Sequence, residues 1–172
     1  ALPVQLDVQN YDDIENLFKK IEQTFGRLDL VINNAGALFW KNIDETNPKN
    51  YDLINQLISF GLHKKWKKDF VNLINFHGDV VDLATGTGDI AISIKEKFPD
   101  VKVVGYDPSS RMLEIAKNKN SNKTILFKNG FCENMPFSDS SFNFATITFG
   151  IRNTKSIPKS LSEIRRILKE NG

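Results

Sequence analysis

Cysteine is nearly absent: Cys132 stands alone among 172 residues. That excludes an internal disulfide and fits a reducing compartment. No apolar run approaches the roughly 20 residues that a membrane-spanning helix needs. No secretory leader is expected from the opening ALPVQLDV, which reads as a strand. A chain that opens inside a strand reads as a piece cut from something longer. Charge of one sign is also missing. The formal net charge is +2, too small to imply a nucleic-acid partner, and the lysine run at 64–68 reads as a solvated helix face. What is present is ordinary for a folded domain: 40% hydrophobic and 26% charged residues, in a length that can bury a sizeable core.

Periodicity supplies the fold class. Residues 3–8 alternate as a strand, and 11–25 follow at helical spacing up to Gly26. Residues 28–32 form a short apolar run of the kind buried on both faces of a parallel sheet. The polar stretch 33–50 is the best linker candidate. An amphipathic helix is expected over 51–74, kinked near Gly61. Strands at 80–83, 102–106, 124–127 and 142–148 then alternate with helices at 89–98, 109–117 and 157–169. This rhythm predicts an α/β, Rossmann-like, doubly wound and mainly parallel sheet with helices on both faces.

The chemistry-bearing stretch is VVDLATGTGD, residues 80–89, an apolar strand that enters a glycine turn and then a helix. Side chains at Gly86 and Gly88 would block a ligand that needs close backbone approach, and the helix start favours an anionic group. The next strand ends in Asp107, about 20 residues on, where a carboxylate can chelate a ribose diol. Asp107 could equally cap the following helix. Spacing leaves NAD and S-adenosylmethionine both open. The third glycine of the dinucleotide fingerprint is missing, which leans toward the methyl donor.

From residue 51 to 172 the chain resembles the ubiquinone/menaquinone biosynthesis C-methyltransferases, a class I S-adenosylmethionine-dependent family. The matching stretches are YDLINQLISFGLHKKW, DLATGTGD, ENMPFSDSSF and TFGIRN, in family order. Ile54 stands where the family has Met, and Thr85 where Gly is more usual. The resemblance implies that Asp82, Gly86, Thr87, Gly88, Asp107 and Thr148 hold the cofactor, and that Phe131 and Cys132 flank its adenine. Phe131 departs from the usual Asn or Asp; a phenyl face can stack on the base instead. Arg152, Asn153 and Tyr51 would line the pocket for a quinol whose ring carbon is methylated, with no metal needed. His63 is implied as a structural or lid residue first and a base second. The implied partner is a small quinol with a prenyl tail, and peripheral membrane contact is an option for the 53–73 apolar stripe. The implied location is cytoplasmic, at a membrane surface, or the mitochondrial matrix in a eukaryote. The family continues past a Lys-Pro-Gly-Gly turn, so the methyltransferase core reads as truncated at its C-terminus.

Residues 1–50 resemble a different family, the short-chain dehydrogenase/reductases, through Asp7 and GRLDLVINNAG. The Tyr-x-x-x-Lys pair of that chemistry occurs nowhere in the chain. Two pieces are therefore expected, 1–50 and 51–172, joined as a chimera and able to share one sheet. A non-catalytic Rossmann-fold assembly, or a remnant NAD(P)-binding protein, stands as the alternative to a methyltransferase.

Overall fold

A computed structural model describes residues 11–26, 30–33 and 62–170. The expected strand at 3–8, the polar linker after Asn33, Tyr51 and the first half of the 51–74 helix lie outside them. In chain order the elements are α1 (Tyr11–Phe25), β1 (Leu30–Asn33), α2 (Leu62–Leu73), β2 (Asp79–Leu83), α3 (Asp89–Lys97), β3 (Lys102–Asp107), α4 (Ser110–Lys119), β4 (Leu126–Asn129), β5 (Phe144–Thr148), a 3-10 turn (Ile151–Asn153) and α5 (Ile157–Ile167). No helix among the described residues is long and apolar enough to cross a membrane.

The five strands among the described residues pair in parallel, in the order β1-β5-β2-β3-β4. Alternation along each strand splits the core into two layers. Val80, Val103, Phe127 and Phe144 face Phe70 and Val71 of α2, Ile90 and Ile94 of α3, and Leu113 and Ala116 of α4. Val81, Leu83, Tyr106, Ala145 and Ile147 face Ile164 and Ile167 of α5. Each layer has an aromatic centre: Phe76 meets Phe144 edge-on at 5.3 Å on one side, and Phe137 meets Tyr106 at 5.3 Å on the other. The fold is thus the doubly wound α/β sheet, with helices on both faces, that the sequence predicts.

Where boundaries differ, local hydrogen bonds explain the shift. β4 starts at Leu126 rather than 124, because Asn120 takes the backbone first: its Nδ2 donates to Ile125 O, and its Oδ1 accepts from Thr124 N. α4 begins one residue later than predicted, since Ser109 is its N-cap and accepts from Met112 N. Residues 142 and 143 are not part of β5. Phe142 instead bridges Leu168, just past the end of α5.

Candidate functional site

From the central strand β2 the chain goes outward through β3 to β4, then returns to the other side of β2 as β5. The helices after β2 and β5 pack on opposite faces. The carboxyl ends of β2 and β5 therefore frame the switch point, where open α/β sheets place their ligands.

Asp82 spans that point. It is 1% exposed, and its carboxylate accepts from Thr146 Oγ1 on β5 and from Thr85 Oγ1 in the following turn, both at 2.6 Å. Burial raises its pKa to about 6, against the two hydroxyl donors and the nearby Lys67. After β2, Ala84 (φ 51°), Gly86 (φ 56°) and Gly88 (φ 83°) all adopt left-handed conformations. Space above Gly86 is open: a Cβ there would meet nothing within 4 Å. At Gly88 a Cβ would come within 2.9 Å of Ala116 Cβ, so that glycine seats α3 against α4.

Asp107, at the end of β3, bridges to the same turn. Its Oδ2 accepts from Gly86 N and its Oδ1 from Ser109 N, each at 2.8 Å. Asp107 therefore does not cap α4 with its own side chain; Ser109 does that. Burial raises the Asp107 pKa, although the two backbone donors oppose it. Thr87 is buried, and its hydroxyl accepts from Lys119 Nζ at 2.9 Å.

At the end of β4, Gly130 N donates to Asp107 O, which brings Phe131 and Cys132 to the same edge. Phe131 is 53% exposed, with the Lys155 ammonium 4.9 Å from its ring centroid. Cys132 is buried, and burial, aided by Glu133 and Asp107, pushes its thiol up to about 12 against a hydrogen bond from the Ala84 backbone. Thr148 closes β5, and its Oγ1 is buried with no hydrogen-bond partner among the described residues. Arg152 and Asn153 follow on the 3-10 turn, both exposed. The eight residues implied for cofactor contact thus share the carboxyl edge of four adjacent strands. Tyr51 and the side chains of His63 and Trp66 lie outside the described residues.

Sequence reasoning gave Thr85 and Thr146 no role and read the 64–68 lysine run as a solvated helix face, whereas Lys67 is only 21% exposed and its Nζ lies 2.6 Å from Asp89 Oδ2. Thr146 left a usable signal, being a polar residue at the middle of the strand FATIT, between Ala145 and Ile147.

The chain is 43% identical over 126 residues to a demethylmenaquinone methyltransferase of Thermotoga maritima, an alignment covering 72% of this chain and 54% of that protein. It is 38% identical over 164 residues to a ubiquinone/menaquinone biosynthesis C-methyltransferase of Rickettsia prowazekii, covering 90% of this chain and 62% of the relative. The chain thus spans a little over half the length of these curated relatives. Among solved structures, a SAM-dependent methyltransferase of Thermotoga maritima superposes with a TM-score of 0.58 at 29% identity, over 70% of this chain and 53% of that one. The sequence model of the ubiE/COQ5 methyltransferase family matches residues 39–172, through the glycine turn, Asp107 and the turn after β5 alike, and the chain belongs to that family.

Proposed function

We propose that the chain binds S-adenosyl-L-methionine and forms the cofactor-binding part of a C-methyltransferase of quinone biosynthesis. Its substrate in this reading is a demethylmenaquinol or a polyprenyl benzoquinol, met peripherally at a membrane surface. The observation that carries the reading is the bond from Gly86 N to Asp107 Oδ2. It sets an acidic side chain beside an unobstructed glycine turn at the switch point of the sheet.

The residues present fit the cofactor. Backbone at Gly86 is open to close approach, Asp107 has lone pairs left for a diol, and the buried Thr148 Oγ1 lacks a partner among the described residues. When bound, the cofactor supplies an electrophilic methyl group carried on a sulfonium. Asp107 and Thr87 would hold it at the ribose and at the turn, with Phe131 stacking on the base and Cys132 packing behind. Asp82 would act through Thr85 and Thr146 and keep the turn and β5 at fixed distance. Arg152 suits a phenolate: a guanidinium stays charged, so it stabilises the anion and does not accept its proton. Asn153 and Tyr51 would orient the ring.

A second reading concerns residues 1–50. We carry them as a dehydrogenase-like strand-helix-strand piece, 51–172 being the methyltransferase piece. Leu30–Asn33 pairs in parallel with Ala145–Thr148, which supports the two pieces sharing one sheet.

Calorimetric titration of the chain with S-adenosylmethionine and with NAD, beside Asp107→Ala, tests the proposal. We expect one-site binding of the methyl donor, no heat with NAD, and loss of binding in the variant. Binding of NAD alone, or of neither ligand, refutes the cofactor reading.

A further inference from the structure

We propose that Asp89, Lys67 and Lys119 form a positioning cluster that sets the glycine turn for the cofactor and ties it to helix α2. The inference rests on the methyl-donor reading above and gives Asp89, Lys67 and Lys119 a joint role that the site description does not.

Asp89 is the first residue of α3, directly after Gly88. A carboxylate there complements the positive end of the helix dipole, yet each of its oxygens is taken by a different lysine. Lys67 Nζ reaches Oδ2 at 2.6 Å from α2, and Lys119 Nζ reaches Oδ1 at 2.9 Å from the last turn of α4. Lys119 Nζ also donates to Thr87 Oγ1 at 2.9 Å. Three helices therefore meet, through charged atoms, at the turn that would hold the methyl donor.

Two features separate this cluster from ordinary surface pairing. First, the side chains are only 21% (Lys67), 30% (Asp89) and 34% (Lys119) exposed, so solvent and salt screen them less than a free surface pair. Burial opposes the Asp89 charge, and the two lysines outweigh it, holding the carboxyl below its usual range. Second, α2 and α3 already dock through Phe70, Val71, Ile90 and Ile94. Attachment of α2 does not require the ion pair. What the pair adds is a fixed position at the turn end of α3, one residue from Gly88. A shift of α2 is passed through Lys67 to Asp89 and so to the turn, and by linkage a ligand on the turn biases α2 in return.

The test uses the full chain with Lys67→Met, Lys67→Arg, Asp89→Asn and the Lys67→Met/Asp89→Asn double variant. Lys95→Met is the control, because Lys95 bonds Pro99 O and Val101 O at the opposite end of α3. Amide exchange at Gly86, Thr87 and Gly88 is read against Val103 and Gly105, and S-adenosylmethionine affinity is read by calorimetry. Lys67→Met and Asp89→Asn should each speed exchange at the turn and weaken binding by roughly fivefold or more. The double variant should be no worse than Asp89→Asn, and Lys67→Arg should restore both readouts. Lys95→Met should lower the melting temperature and leave turn and affinity unchanged. The proposal is overturned when the Lys67 and Asp89 variants behave like Lys95→Met, less stable but with turn exchange and affinity intact. A wild-type chain that binds no methyl donor defeats the cofactor reading alone, and exchange at the turn still decides the role of the cluster.

Discussion

At Asp82 a carboxylate is buried at the centre of a parallel sheet, a costly placement unless hydrogen bonds and charges offset it. Thr85 and Thr146 do so only in part, since the pKa still sits at about 6 against the usual 3.8. In that window the folded chain holds a proton that the unfolded chain has released. Stability from this group is therefore fully present below 3.8 and lost as pH rises through about 6. The difference is on the order of 3 kcal/mol. Asp82→Asn should abolish this slope, so the stability gap between variant and wild type, from denaturant melts, should widen in favour of the variant from pH 4 to pH 7. A flat gap would mean that Asp82 ionises in the fold as freely as in the unfolded chain. The glycine turn and Asp107 were legible in the sequence because their spacing is local. The Thr146 bond was not, since it joins residues 64 positions apart and depends on which strand lies beside β2.

Between β4 and β5 the chain runs without helix or strand from Phe131 to Ser141, and one side chain of α5 holds much of it. Arg166 donates to Met135 O, Phe137 O and Asp139 Oδ1, and forks onto Glu163, whose Oε2 accepts from Met135 N. The family stretch ENMPFSDSSF could be read in the sequence, but its partner could not, because an arginine on an amphipathic helix looks like any solvated charge. The Arg166 bond is the main cause holding the Glu163 carboxyl at about 2 rather than the usual 4.5. The stability that Glu163 contributes is present above 4.5 and lost as pH falls through about 2. Arg166→Met should move the Glu163 carboxyl toward 4.5 in a carbon-detected NMR titration, speed exchange at Met135 N and lower the melting temperature. An unmoved titration would show that the Met135 amide alone holds the charge.

At the scale of the molecule, alternating strand and helix signals fix parallel connections but not the order of strands, because every interior strand reads as the same short apolar run. The order places β1 against β5, elements more than a hundred residues apart in the chain. Residues 51–172 are 122 of 172, about 71% of the chain, whereas the Rickettsia prowazekii alignment covers 90%. Similarity to that relative therefore extends ahead of Tyr51, into the residues that motif reading alone had set apart from the methyltransferase piece. What β1 contributes physically is protection of an edge. In a parallel sheet the backbone N–H groups of one strand point alternately to its two neighbours, so those of β5 alternate between β1 and β2. With β1 in place, amide exchange along Phe144–Thr148 should be uniformly slow, as in an interior strand. An uncovered β5 would exchange with a period of two, every second amide fast, and would present an open edge to other chains. Uniform protection joins residues 30–33 to the same cooperative unit as the methyltransferase sheet; the alternating pattern would leave them a separate, weakly held appendage.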